Sequence, residues 1–329
     1  MANTQKYFEA FHNAIRADYD MNSTLREKRD SILDLLARRL KEGGHPTCDE
    51  LLQGSYRMGT GVLPIADLEY DIDVGLRFGI SDTDHDAADV RKWVFDAVYG
   101  HTNSVEEKGP CIRVGYSKGF HVDLVVYATG EDAVGEVQYK LAHRDNGWRP
   151  ANPPALLEHV RKGRKPFEGT EDTATKTDQL RRVVRYLKRW GDVAIPKESP
   201  DKPTGIGYTL YAIEHLQNTR FWDGSPDDRT SLFNLAQIAG NTFGRISAYK
   251  PTPEYDDVFS RLSDKAMQTL KERFLTLCDV LAKANAETDP VRACELLQSV
   301  FGKDFPVPEP EDTGKKTSAP AIVTSASSA

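Results

Sequence analysis

The sequence predicts an α/β (α+β) fold in two parts, because its first half carries strand patterns and its second half carries mainly helical patterns. Apolar residues alternate along residues 70–76 and again along residues 120–127, as they do in half-buried strands. Residues 111–116 form another short strand, and a turn at residues 117–119 joins it to residues 120–127 as a hairpin. From residue 178 onward, apolar residues recur at the spacing of one helix face.

We expect three regions along the chain. Residues 1–165 form a core that includes a long N-terminal helix, residues 166–304 form a helical lobe, and residues 305–329 form a flexible C-terminal tail. The tail has too little bulky apolar content to fold alone. Helical patterns, the first of them either one helix or two broken near Asn22, are predicted in residues 3–42, 84–99, 178–190, 207–217, 231–240, 255–286 and 289–300.

The composition excludes several classes of protein. With 39% hydrophobic and 28% charged residues and no apolar run long enough to span a membrane, the chain is typical of a soluble globular protein. The net charge of −7 argues against sequence-independent binding of long nucleic acids. The eight histidines show no metal-ligand spacing and are expected to be solvated or at the edge of a core. The cysteines form no Cys-x-x-Cys motif, which argues against a zinc site or a disulfide framework and indicates a reducing cytoplasm: Cys48, Cys111, Cys278 and Cys294.

Two aspartates lie on one face of the strand predicted at residues 70–76. Asp71 and Asp73 are two residues apart, so their carboxylates project side by side and repel each other. A divalent cation relieves this repulsion, and Mg²⁺ is usually held by one or two carboxylates together with substrate phosphates. The pair alone favours a solvated strand edge, where charged residues discourage pairing with another chain, and further features are needed to favour a metal site.

A Gly-Ser pair precedes this strand. Gly54 lets a backbone approach a phosphate closely, and the hydroxyl of Ser55 with nearby amides can donate hydrogen bonds to phosphate oxygens. The same pair is common in plain turns, so its value comes from its position just ahead of Asp71 and Asp73.

A third carboxylate lies on the strand at residues 120–127. Asp123 shares a face with His121, Val125 and Tyr127, while the opposite face is apolar. An unpaired charge among such β-forming neighbours is costly, so we expect a cation to meet Asp123. A metal ion shared with Asp71 and Asp73 meets this requirement.

The helix predicted at residues 178–190 is apolar on one face and basic over much of the rest. Most of these basic side chains are expected to be solvated, with one or two facing a cleft where they suit a triphosphate. They are Arg181, Arg182, Arg185, Lys188 and Arg189.

Together, these features resemble the polymerase-β-like nucleotidyltransferases, which combine a Gly-Ser turn, a strand with an Asp-x-Asp pair and a third acidic residue on a later strand. The chain is most similar to the bacterial cGAS/DncV-like nucleotidyltransferases (CD-NTases). The motifs that carry this resemblance occur in the same order and are QGSYRMGT, EYDIDVGL, HVDLVVY, VRYLKRW and PTGIGYTLYAIEHL. They cover the chain from its first helix to about residue 300.

The resemblance implies a polymerase-β-like core with a mixed β-sheet, a C-terminal helical lobe and a cleft for NTPs between them. It implies that Asp71, Asp73 and Asp123 hold two Mg²⁺ ions, with Mn²⁺ as a possible substitute. Gln53, Gly54, Ser55, Lys188 and Thr204 would then bind the nucleotide; most relatives carry Ser at the position of Thr204, and Thr keeps the hydroxyl. Tyr56, Tyr116 and Tyr211 are candidates for stacking on a base.

The implied activity is the synthesis of a small cyclic nucleotide from ATP and GTP, most often a cyclic GMP-AMP type, which switches on an effector protein in anti-phage defence. Some members of the family are joined through their C-terminus to a target by a ubiquitin-like conjugating enzyme, and the tail of this chain is similar to that arrangement. Three alternatives remain at this stage: a nucleotidyltransferase acting on an antibiotic or tRNA acceptor, a synthase activated by nucleic acid, and a nucleotide-binding module without activity.

Overall fold

A computed structural model describes residues 3–17, 23–65, 70–116, 119–196 and 199–310. Most of the predicted tail and two residues of the predicted hairpin turn, 117 and 118, lie outside the described residues. Within the described ranges, no helix is both long and apolar enough to cross a membrane.

The first half of the chain forms one seven-stranded mixed sheet. Its strands are β1 (Cys48–Leu52), β2 (Tyr70–Phe78), β3 (Ser104–Glu107), β4 (Ile112–Tyr116), β5 (Phe120–Glu131), β6 (Val137–His143) and β7 (Gly147–Ala151). β2 and β5 are parallel, and the other pairs are antiparallel. The predicted hairpin is the antiparallel pair β4–β5, and the mixed sheet expected from the family resemblance is confirmed.

The helices are α1 (Gln5–Ile15), α2 (Ser23–Glu42), α3 (Gly54–Met58), α4 (Ala87–Val98), α5 (Pro153–Gly163), α6 (Gln179–Ala194), α7 (Gly205–His215), α8 (Asp228–Asn241), α9 (Asp264–Ala286) and α10 (Pro290–Phe301). The N-terminal pattern is therefore two helices. The prediction of a helix from residue 255 was wrong at its start, because Ser263 caps α9 and accepts a hydrogen bond from the amide of Ala266.

One hydrophobic core lies between the sheet and the helices α2 and α4. The alternation predicted from the sequence is confirmed, because Ile72, Val74 and Leu76 of β2 are buried, as are alternate residues of β5. The opposite face of these two strands carries the polar side chains of Asp71, Asp73, His121 and Asp123, and farther along β5 the apolar Val125 and Tyr127.

A second core joins the helices of the second half. The aromatic side chains of Phe8 and Phe11 on α1 pack within it, against Tyr186 and Phe301. Phe305, where the tail was expected to begin, is fully buried in the same aromatic cluster, so the chain remains on the core beyond this residue. The division of the chain at residue 165 stays a prediction.

The basic face of α6 is not solvated, and that expectation was wrong for three of its arginines. Arg182 makes a two-point ion pair with Asp228 at 2.7 Å, and neither side chain is accessible to solvent. Arg185 donates to the carbonyl of Gly61 at 2.9 Å, and Arg189 donates to that of Leu63 at 2.6 Å. A guanidinium group can be buried when acceptors meet its donors, and here α6 supplies such groups to the loop after α3.

Arg182→Met is expected to lower the free energy of unfolding by about 3–5 kcal/mol, because it leaves the buried Asp228 without its cationic partner. Urea denaturation measures the change. The control is Arg292→Met, which removes the exposed partner of Asp289 and should change stability by at most about 0.5 kcal/mol. Equal effects of the two substitutions would contradict the assignment.

Candidate active site

The parallel register of β2 and β5 brings the three predicted acidic residues together. Asp73 lies opposite Asp123, and Asp71 lies opposite His121, with all four side chains on the face away from the sheet core. Ligand atoms of Asp71, His121 and Asp123 lie within 4.8 Å of one another. Carboxylates distant in sequence therefore share one small region of the sheet surface.

His121 belongs to this group, and the sequence interpretation missed it. Its ring is buried, and its Nε2 contacts Oδ1 of Asp71. The sequence did contain a signal for it, because His121 lies two residues before Asp123 and therefore on the same face of the strand. A search for metal-ligand spacing among the histidines alone does not detect this signal. Imidazole is a common metal ligand, so His121 widens the candidate donor set.

The cation that meets Asp123 in the protein itself is an arginine. Arg113 of β4 lies opposite Asp123 in the antiparallel register, and its Nε and Nη2 donate to the two carboxylate oxygens at 2.8 and 2.7 Å. The expected positive partner is present, although its identity was not anticipated. Each carboxylate oxygen has two lone pairs, so this pairing still leaves Asp123 able to coordinate a metal.

The surroundings of Asp73 disfavour the charged form of its carboxyl group. Its pKa is raised to about 7, mainly by burial and further by the carboxylates of Asp123 and Asp71, against the opposing effects of His121 and Arg113. Like charges held this close favour the protonated form of one of them. A bound cation reverses that preference.

Gly54 is required beside Asp73 for two reasons. Its φ of +71° lies in the left-handed region that other residues rarely adopt. A Cβ atom at this position would also overlap Oδ2 of Asp73. The Gly-Ser pair, which begins the short helix α3, therefore packs directly on the acidic group.

The residues at this position fit a divalent metal ion. They supply carboxylate oxygens and one imidazole nitrogen, and the raised pKa of Asp73 reflects its burial and the neighbouring carboxylates. Hard cations such as Mg²⁺ prefer oxygen donors and compensate this kind of charge.

A cavity of about 730 Å³ opens over the acidic group, between the sheet and the helical half. The structure brings all the predicted site residues to its wall, while their roles stay predictions: Gln53, Gly54, Ser55, Asp71, Asp73, Asp123, Lys188 and Thr204. A volume in this range is typical of small-ligand sites.

Lys188 approaches the cavity from α6. Its Nζ donates to the carbonyl and hydroxyl oxygens of Thr60 at 2.9 and 3.1 Å. Its pKa is lowered to about 7, mainly by burial and also by Arg185, against the opposing effects of Asp192 and Asp73. An anion in the cavity would favour the charged ammonium form. Thr204 lies nearby as the residue preceding α7.

The aromatic side chains on the cavity wall are Tyr127 and Tyr208. Tyr127 donates a hydrogen bond to Oε1 of Gln53 at 3.0 Å, which holds that predicted site residue in place. The aromatic candidates from the sequence lie elsewhere, since Tyr116 stacks on Phe120 and Tyr211 packs in the helical core. Tyr56, Tyr116 and Tyr211 are not among the residues that line this cavity, and base stacking by any of them stays a prediction.

The segment that carries the acidic residues is similar to known proteins. Residues 49–127 match the family model described as "Cyclic GMP-AMP synthase DncV-like, nucleotidyltransferase domain". A cyclic GMP-AMP synthase of Escherichia albertii is 25% identical over 201 residues, which span 58% of this chain and 42% of that protein. The match thus covers less than half of the relative.

Two solved structures share the whole fold. The DncV cyclic AMP-GMP synthase of Vibrio cholerae aligns with a TM-score of 0.72 and 15% identity, covering 92% of this chain and 97% of that one. The CdnG CD-NTase of Bradyrhizobium diazoefficiens, in complex with GTP, aligns with a TM-score of 0.68 and 16% identity, covering 92% and 95%. With the family model, these matches confirm the resemblance predicted from the sequence.

Gly54→Ala is expected to reduce the rate of any reaction at this site by about 100-fold, because the added methyl group displaces the Asp73 carboxylate. Steady-state kinetics and a thermal melt measure activity and folding together. Gly79→Ala is the matched control, since Gly79 follows the same strand and an added methyl group meets only open space there. Normal activity of the Gly54 variant would contradict this role.

The affinity for a divalent cation is expected to rise as the pH rises through 7. The cation competes with the proton of Asp73, whose pKa is about 7, so affinity should fall about tenfold per pH unit below that value. Mn²⁺ titrations followed by electron paramagnetic resonance measure this dependence. Asp73→Asn should bind more weakly and with a flatter pH profile; an unchanged slope would assign the titration to another group.

Proposed function

Because residues 49–127 form a DncV-like nucleotidyltransferase domain, we propose that this chain joins NTPs into a cyclic di- or oligonucleotide and releases pyrophosphate. One observation carries the proposal: the acidic group on β2 and β5 faces Lys188 and Thr204 across a single cavity. The relative from Escherichia albertii is named a cyclic GMP-AMP synthase, and the CdnG structure is a complex with GTP. We therefore propose ATP and GTP as substrates and a cyclic GMP-AMP type of product.

In this proposal, Asp71, Asp73 and Asp123 hold two Mg²⁺ ions, which Mn²⁺ can replace, and His121 is an additional donor. When bound, such ions lower the pKa of an attacking ribose hydroxyl and neutralise the charge of the departing pyrophosphate. Arg113 fixes the orientation of the Asp123 carboxylate through its two hydrogen bonds. Gly54 packs directly against the carboxylate of Asp73.

The triphosphate of the donor nucleotide lies between the two halves of the protein. Lys188 exchanges its hydrogen bonds to Thr60 for contacts with phosphate oxygens, which favour its charged form. The hydroxyl groups of Ser55 and Thr204 donate hydrogen bonds to phosphate oxygens from opposite walls, and Gln53 contributes its side-chain amide. These residues act by placement and by compensation of charge.

The reaction proceeds in two transfers. In the first, a ribose hydroxyl oxygen of one nucleotide bonds to the α-phosphorus of the other, the bond between the α- and β-phosphates breaks, and the hydroxyl proton passes to solvent. The linear dinucleotide then turns over in the cavity. Its remaining hydroxyl attacks its own α-phosphorus, which closes the ring and releases the second pyrophosphate.

We further propose that the product acts in bacterial anti-phage defence by switching on an effector protein. The four cysteines are unpaired thiols, which fits the reducing cytoplasm where NTPs are made. A ubiquitin-like conjugating enzyme is a candidate partner for the C-terminal tail, whose residues 311–329 lie outside the described part of the chain.

Asp71→Asn is expected to lower the turnover of NTPs by at least about 100-fold without a loss of folding, because it removes one negative charge from the acidic group. Pyrophosphate release from the four NTPs with Mg²⁺ measures turnover, and mass spectrometry after phosphatase treatment identifies a cyclic product. The control, Asp96→Asn, changes an exposed carboxylate paired with Lys92 on α4.

Near-normal activity of the Asp71→Asn variant would contradict the proposed mechanism. Transfer that occurs only when an antibiotic or a tRNA is added would instead assign the chain to the acceptor-modifying nucleotidyltransferases. A strict requirement for added nucleic acid would identify an activated synthase.

A further inference from the structure

A hairpin at residues 249–257 forms part of the cavity wall. Tyr249 bridges Asp257, and the amide of Lys250 donates to the carbonyl of Asp256 at 3.0 Å. Along the hairpin, residues on one side line the cavity, namely Lys250, Thr252 and Glu254. On the other side, Tyr249 and Tyr255 stack on each other with ring centroids 4.9 Å apart and are exposed.

One ion pair joins the hairpin to the sheet half of the protein, and two more lie within the hairpin. Asp256 lies 3.4 Å from Arg149 of β7 and 3.7 Å from Nζ of Lys250. Nζ of Lys250 is also 3.5 Å from Oε1 of Glu254. The hairpin therefore carries a paired ammonium and carboxylate at a defined place on the cavity wall.

Two buried polar atoms of the hairpin have no hydrogen-bond partner among the described residues. They are Oγ1 of Thr252 and Oε2 of Glu254. Buried polar groups in native proteins are almost always paired, so each unpaired group requires an explanation. The unpaired carboxylate oxygen of Glu254 is explained if a bound ligand donates a hydrogen bond to it.

An apolar surface lies beside these atoms. Five side chains on this part of the wall are Cys111, Val125, Tyr127, Leu141 and Ala151. Burial raises the pKa of the Tyr127 phenol, and the nearby carboxylates of Asp73 and Glu254 raise it further. Tyr127 is thus close to both the acidic group and the hairpin.

We propose that the Lys250–Glu254 pair selects guanine at one nucleotide position of this cavity. This inference rests on the proposed function. The Watson–Crick edge of guanine presents an oxygen acceptor, O6, followed by two donors, N1–H and the N2 amino group. Lys250 donates to O6, and Glu254 accepts from N1–H and N2, so both side chains find partners of the right kind.

The other bases do not match this pair. Adenine places an amino donor where Lys250 needs an acceptor and a bare ring nitrogen where Glu254 needs a donor. Cytosine also places an amino group beside a bare nitrogen, and uracil offers a single N–H donor between two oxygens. A site built to pair with one edge rejects bases that leave its buried polar groups unpaired.

The test measures the binding of non-hydrolysable analogues of GTP, ITP and ATP by calorimetry, which requires no turnover. Hypoxanthine in ITP lacks the N2 amino group, so the wild type should bind the ITP analogue at least about 10-fold more weakly than the GTP analogue. Glu254→Gln should weaken GTP binding by about 10- to 100-fold, remove its advantage over ITP and leave ATP binding within about twofold. The control is Glu158→Gln, which changes an exposed glutamate on α5.

Lys250→Met provides an independent variant if Glu254→Gln folds poorly, and it should also weaken GTP binding selectively. The inference is overturned if GTP binding relative to ATP changes less than about twofold in both variants. Selective GTP binding without pyrophosphate release from any NTP would overturn the proposed function alone. A cyclic product with unchanged base choice in both variants would overturn this inference alone.

Discussion

The parallel pairing of β2 with β5 is the constraint on which the rest of the site depends. It places Asp73 beside Asp123 and Asp71 beside His121 on one face, although the strands are separated in sequence by α4 and two further strands. The other face of the same strands is buried, so a register slip of one residue would move the carboxylates into the core. Packing of the core thereby fixes the position of the acidic group.

Buried positive charge connects this group to the helical half. The guanidinium groups of α6 donate to carbonyls in the loop after α3, and Lys188 reaches Thr60 in the same loop. Because α3 carries Gly54 and Ser55, the loop, the acidic group and α6 are positioned together. The pKa of Lys188 is lowered and that of Asp73 is raised, so the cavity by itself favours the neutral forms of both side chains. Charged ligands that enter it favour their ionised forms.

The cavity wall has two chemically different parts. The acidic group provides oxygen donors for cations, whereas the hairpin at residues 249–257 provides a paired ammonium and carboxylate beside an apolar surface. This separation matches the chemistry of a nucleotide, whose phosphates and base differ in the same way. The stacked tyrosines on the outer side of the hairpin and its ion pair with Arg149 hold the second part in position.

The sequence by itself determined the two-part fold, the alternation along β2 and β5 and the acidic residues, because strand periodicity and short motifs are local properties. It also indicated Gly54, Ser55, Lys188 and Thr204 through motif order. The tertiary structure showed the partners of these side chains. Arg113 lies beside Asp123, His121 lies beside Asp71, and Asp228 pairs with Arg182, which was expected to be solvated. Arg113 lies only ten residues from Asp123, and their pairing follows from the register of the predicted hairpin. The other two contacts join residues far apart in the chain, and the identity of such a partner depends on packing that no local pattern records.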